Sequence, residues 1–182
     1  DAATFAEVID ELVDQPEYAI DTEFHRERTY FPKVALVQIA WTPSPDAAPL
    51  VVLVDPLAVD LAPLARVLDG PGTVLMHAGN QDLEVLQRAC GTVPSKLFDT
   101  QLAAGFVGFS TPSLSLLAER VVDIHLPKAS RLTDWMQRPL GEAQQTYAAA
   151  DVLHLADIAR ELRVVLAESD RLAWAEEECE DL

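Results

Sequence analysis

Residues 18–24, Tyr-Ala-Ile-Asp-Thr-Glu-Phe, leave the backbone little choice. Tyr18, Ile20 and Thr22 alternate with Ala19, Asp21 and Glu23, which is the period of a strand. Side chains two apart on a strand project from one face, so Asp21 and Glu23 stand together at the end of an otherwise apolar segment. Adjacent carboxylates repel unless positive charge lies between them. Such a strand end is either a divalent-metal site or a solvated terminus running into a polar turn. Asp-x-Glu alone is a three-residue pattern that fits both.

The flanking chain builds a sheet around that strand. Residues 3–13 carry Phe5, Val8, Ile9 and Leu12 at helical spacing, with Thr4 and Glu7 placed as a capping box. Residues 25–33 are polar and partly basic, a loop beside the strand end. Residues 34–41 and 50–54 read as two further strands, and three strands joined by short connections form a meander. A short helix at 61–68 ends at Gly70-Pro71-Gly72. Residues 73–76 are a fourth strand. His77-Ala78-Gly79-Asn80 turns the chain into a helix over 81–89, with Asn80 as its N-cap, Asp82 in its first turn and Gly91 at its end.

Residues 96–99 read as a short fifth strand leading into a helix over 100–107. Another helix spans 113–122, and a helical turn is expected at 134–137. The longest helical stretch is 141–166, where Tyr147 and Asp151 are four apart and share a face. The ordinary alternatives are a capping acid at Asp82, an interfacial Tyr147 and a solvated Asp151. His154, on a similar face, is expected to be structural.

Charge narrows the partners. Net charge is −17, which argues against nonspecific nucleic-acid binding through a basic surface. Residues 168–182 hold seven acids and one Arg, net −6, and the run 176–181 is expected to be a solvated charged tail; residues 1–167 carry −11. An acidic protein can still handle phosphate if bound cations supply local positive charge. No apolar run approaches the ~18 residues of a membrane helix. Cys90 and Cys179 read as free thiols, and a cytoplasmic protein follows as the default. Glycine-rich nucleotide loops, Cys-x-x-Cys, His-Glu-x-x-His and Gly-x-Ser-x-Gly are all absent.

Asp21, Glu23, Asp82 and Asp151 with Tyr147 make four carboxylates and a phenol, each on an element able to end near one sheet edge. Hard cations take oxygen ligands of this type. Their order resembles the DEDD exonuclease superfamily, in the branch whose third motif carries Tyr. The other branch would place His where Thr146 stands. The stretches Asp21-Thr22-Glu23-Phe24, His77-Ala78-Gly79-Asn80-Gln81-Asp82 and Phe98-Asp99-Thr100-Gln101 resemble ribonuclease D. So do Ser130-Arg131-Leu132-Thr133-Asp134-Trp135, Arg138-Pro139-Leu140 and Tyr147-Ala148-Ala149-Ala150-Asp151. This resemblance covers roughly residues 17–160.

The resemblance implies an α/β, RNase H-like fold: a five-stranded mixed sheet flanked by helices on both sides. It implies an exonuclease domain over 1–165, with 166–182 as an acidic tail that could lead toward the helical HRDC domains usual in ribonuclease D proteins. It implies 3′→5′ release of nucleoside 5′-monophosphates using two divalent ions, Mg²⁺ or Mn²⁺. The expected substrate is the single-stranded 3′ end of RNA, in tRNA or other structured-RNA processing, with DNA as an alternative. By the same resemblance, Asp21, Glu23 and Asp151 hold one ion. Asp21 also reaches the second, Asp82 acts through water, and Tyr147 orients the attacking water. Thr22, Phe24, His77, Asn80, Lys128 and Arg131 are candidate substrate contacts. No membrane partner is expected, and the chain is expected to be a monomer. The reading from another class is a weakly active or inactive RNA-binding or scaffold protein on the same fold.

Overall fold

A computed structural model describes residues 1–25, 31–127 and 133–182. Five strands form one sheet: β1 (Glu17–His25), β2 (Lys33–Trp41), β3 (Leu50–Val54), β4 (Thr73–Met76) and β5 (Leu97–Asp99), in the order β3-β2-β1-β4-β5. The meander is antiparallel, and β4 and β5 add in parallel beside β1. The expected mixed sheet is therefore present, with the strand that carries Asp21 and Glu23 at its centre.

Helices cover both faces, as amphipathic sequences beside a two-sided apolar sheet require. On one face, α1 (Ala2–Leu12), α2 (Ala65–Leu68, entered through a 3₁₀ turn at Ala62–Leu64) and α3 (Asn80–Cys90) pack against Tyr18, Ile20, Val37, Ile39 and Val74. The other face, with Ala19, Ala40, Leu75 and Phe98, is covered by α4 (Thr100–Gly105), α5 (Leu114–Val122), α6 (Glu142–Leu153), α7 (Leu155–Glu168) and α8 (Leu172–Glu180). Strand alternation then assigns sides. Asp21 and Glu23 follow Ala19 onto the α6 side, while Thr22 follows Ile20 onto the α3 side.

Four local expectations need correction. Helix α1 is capped by Asp1, whose carboxylate accepts from the Ala3 and Thr4 amides at 3.0 and 3.1 Å, so Thr4 lies inside the first turn and forms no box with Glu7. Helix α3 begins at Asn80 with Gly79 as its cap. A Cβ at Gly79 would sit 2.7 Å from the Met76 sulfur and 3.0 Å from its Cβ, so a larger residue there would displace the Met76 side chain.

The stretch expected as one long helix is two, broken at His154 (φ −107°, ψ 3°). The break lets α6 lie across β1, β2 and β3 while α7 packs on β1 and β4. The acids of the run 176–181 are exposed to solvent as expected, but the run belongs to a docked helix and not to a loose tail. Its helix α8 docks on β5 and α4 through Ala175 and Cys179, both buried, because two small apolar side chains at helical spacing suffice to seat an otherwise charged helix. Cys90 and Cys179 are free and buried. Among the described residues, no helix is long and apolar enough to cross a membrane.

Candidate active site

The end of β1 is where the two helical layers meet chemically. From the α6 side, Asp151 joins Asp21 and Glu23. One oxygen of each lies within 4.8 Å of the others, and all three residues are half-buried. Tyr147, one turn before Asp151, hydrogen-bonds it through the phenol hydroxyl. From the α3 side comes Asp82, whose Oδ1 accepts from the Thr22 amide at 3.1 Å and the Thr22 hydroxyl at 2.5 Å. Asp82 thus stands outside the three-carboxylate group, bonded to the residue between two of its members.

Electrostatics follow from this crowding. Asp21 is pushed well above the ordinary carboxylate range, first by burial and then by Asp82, Asp151 and Glu23. Burial, with Asp151 and Asp82, raises Glu23 to about 8. Burial raises Asp151 to about 7, against the lowering effect of the Tyr147 hydrogen bond. Asp82 is also raised by burial, opposed by its bonds to Thr22. Burial and the charge of Asp151 raise the Tyr147 phenol, so it is a hydrogen-bonding group at neutral pH rather than a base. Buried acids that repel one another and offer only oxygen are a donor set suited to a hard divalent cation, which would restore their charged forms.

An open cavity of about 560 Å³ lies over this group. Its lining includes Thr22, Phe24, His77 and Asn80 beside the four carboxylates and Tyr147. Nine of the eleven candidate residues therefore meet in one place. Lys128 and Arg131 lie outside the described residues. Of the substrate-contact candidates, Thr22 and His77 have their polar side-chain atoms engaged within the protein. The Thr22 hydroxyl serves Asp82, and the His77 ring spans Thr100 Oγ1 (2.9 Å) and the Pro112 carbonyl (3.1 Å). Burial lowers the His77 pKa.

Sequence reasoning missed several residues that shape the site. The Asp99 carboxylate accepts from the amides of Ala78 (3.2 Å) and Gly79 (2.7 Å), holding the turn before Asp82 while it also caps α4. Ala78 sits there at φ 58°, a left-handed conformation this clamp sustains. Arg138 donates to both Asp55 oxygens at 2.7 Å and to the carbonyls of Ala35 (2.6 Å), Trp135 (2.8 Å) and Gln137 (2.8 Å). Ala35 is the extra residue of a bulge opposite the Glu23–Phe24 step, so its carbonyl needs a partner outside the ladder. The clamp sets Trp135 beside Tyr147, with ring centroids 6.2 Å apart. Gln38 reaches Asp21 from β2. A lone amide in an otherwise apolar strand was the available signal for it.

Comparison with known proteins identifies the family and the fold. Residues 1–167 match the model of a family described as 3′-5′ exonuclease. A ribonuclease D of Jannaschia sp. is 44% identical over 172 residues, spanning 92% of this chain and 44% of that protein. Among solved structures, RNase D of Escherichia coli, described as an exoribonuclease involved in structured RNA processing, superposes with a TM-score of 0.87 at 37% identity. That alignment covers 97% of this chain and 46% of the other. NrnC of Brucella melitensis bound to pGG gives a TM-score of 0.76 at 30% identity, covering 91% of this chain and 80% of the other. The chain thus spans under half the length of the ribonuclease D proteins it resembles.

Proposed function

The chain belongs to the 3′-5′ exonuclease family, and from that premise we propose that it hydrolyses terminal phosphodiesters at the 3′ end of RNA and releases nucleoside 5′-monophosphates. The observation that carries this reading is the convergence of Asp21, Glu23 and Asp151 within 4.8 Å, with Asp82 on the other side of the same strand end. Family and acidic group together indicate use of a divalent metal. Mg²⁺ and Mn²⁺ are both suited to the oxygen donors.

In this reading Asp21, Glu23 and Asp151 would hold one ion, and Asp21 would also reach a second, with Asp82 nearby and acting through water. Divalent ions held by these carboxylates would supply the Lewis acidity for hydrolysis. The chain's own groups do the rest. Tyr147 orients the attacking water by hydrogen bonding. Phe24 and Asn80 contact the terminal nucleotide, while Thr22 and His77, their polar atoms engaged within the protein, support the floor beneath it. With −11 on residues 1–167, the positive charge that receives phosphate comes chiefly from the ions. The chain acts as a monomer on a single-stranded 3′ end. The likeness to ribonuclease D favours structured RNA, including tRNA, as the natural class.

The likeness to NrnC, seen with pGG, favours a second reading in which very short oligonucleotides are preferred. One experiment addresses both. End-labelled single-stranded RNA, the matching DNA and the dinucleotide pGG are incubated with Mg²⁺, Mn²⁺ or EDTA, and a 3′-blocked RNA is run beside them. Loss of 3′ nucleotides with either metal, and none from the blocked RNA, is expected. Activity that survives excess EDTA would remove the metal mechanism. Turnover of pGG alone would shift the substrate to short oligonucleotides.

A further inference from the structure

Gln38 lies in the middle of β2, with no exposed surface, and directly opposite Asp21 in the antiparallel register. Opposed residues of such a pair project from the same face, here the face covered by α6. The neighbours along the strand, Leu36, Val37, Ile39 and Ala40, are all buried and apolar. In this apolar layer the Gln38 Nε2 donates to Asp21 Oδ2 at 3.4 Å, while its Oε1 has no hydrogen-bond partner among the described residues. A buried acceptor without a donor is costly, and an apolar residue of the same shape would avoid that cost. An amide is therefore a poor choice for packing at this position and needs another reason.

Asp21 supplies one. It is one of three carboxylates whose oxygens approach within 4.8 Å of one another, and the next residue, Thr22, binds the fourth, Asp82. Among the described residues, the Gln38 amide is the one side-chain hydrogen-bond donor to Asp21. Turning the amide round would replace that donor with an acceptor. The observed orientation sets the donor end of the amide against the Asp21 carboxylate and leaves its acceptor end turned away.

We propose that Gln38 is a positioning residue for metal uptake: its buried amide aims the Asp21 carboxylate, and the unpartnered Oε1 is what that orientation leaves behind. This rests on the assignment of the acidic group as a metal site. Groups behind metal ligands fix ligand orientation, and their loss typically weakens metal affinity by about 10- to 100-fold.

The test is calorimetric Mn²⁺ titration of wild type, Gln38→Leu, Gln38→Met and Asp21→Asn, beside the melting temperature of each without metal. The two Gln38 variants keep the volume and remove the amide. Both should bind Mn²⁺ about 10- to 100-fold more weakly than wild type, while melting at the same temperature or higher without metal. That combination is opposite to what a purely structural glutamine would produce. Affinity within about twofold of wild type in whichever variant folds would overturn the inference while leaving the metal site intact. Failure of both variants to fold would overturn it as well, because the amide would then be needed for packing. No Mn²⁺ uptake by wild type, or equal uptake by Asp21→Asn, would instead remove the assignment on which it rests.

Discussion

Thr22 and Asp82 are joined twice although they stand 60 residues apart, through the Thr22 amide at 3.1 Å and its hydroxyl at 2.5 Å, both to Asp82 Oδ1. This pins the first turn of α3 to the end of β1, beside the cavity that both residues line. The link makes Thr22 a support for a carboxylate rather than a free contact for substrate.

Thr22→Val keeps the branched shape and the amide bond but deletes the hydroxyl. Loss of one hydrogen bond to a carboxylate should cost about 1.5–3 kcal/mol of stability and slow turnover. Thr22→Ser retains the hydroxyl and should stay near wild type in both. Urea midpoints and single-turnover rates measure the pair. Equal behaviour of Val and Ser would show that the hydroxyl is dispensable.

Stability without metal should fall as pH rises. Glu23 and Asp151 are raised to about 8 and about 7 in the folded chain, against about 4.3 and 3.9 unfolded. Between those limits the folded state holds more protons than the unfolded one, so unfolding free energy decreases with pH. His77, lowered by burial, works in the opposite sense below about pH 6.5. The decline should therefore be clearest from about pH 6.5 to 8. Mn²⁺ should reverse it by binding the folded state. Melting curves in EDTA and in Mn²⁺ across this range provide the check, and a metal-free melting temperature that climbs over that window would contradict it.

Tyr147 and Asp151 share a helix face but differ in role. Asp151→Asn should weaken metal affinity and nearly abolish turnover. Tyr147→Phe keeps the ring against Trp135 and should cut turnover by roughly 10²–10⁴-fold with metal binding unchanged, the range for a positioned hydrogen-bonding group. Calorimetry beside single-turnover kinetics separates them. A fully active Tyr147→Phe would reduce the phenol to packing.

Arg138→Lys removes the planar fork that binds Asp55 and three carbonyls at once. The Ala35 carbonyl, on a residue with no exposed surface, would lose its donor, at a cost of about 1–3 kcal/mol. Because Trp135 would loosen from Tyr147, kcat should fall while Mn²⁺ affinity holds. A variant that loses metal affinity instead would mean the clamp acts on the carboxylates and not on the phenol.

Strand alternation over 18–24 was enough to put Asp21 and Glu23 on one face, and helical spacing was enough to pair Tyr147 with Asp151. The same local periods yielded the meander, the fourth strand and the stop at Gly91. These are properties of single elements, set by the direction each Cβ takes along its own backbone. Which residue stands across from another is set elsewhere. The sheet register brought Gln38 to Asp21, and packing of α3 on the opposite face brought Asp82 to Thr22 instead of into the carboxylate group. The break at His154 followed from two sets of strands needing cover, and the docking of α8 from a pocket beside β5 that accepts Ala175 and Cys179. Each of these is a contact between elements distant in sequence. A local pattern carries the direction of a side chain but not the surface it will meet, and that surface exists only once the sheet has closed and its two faces are covered.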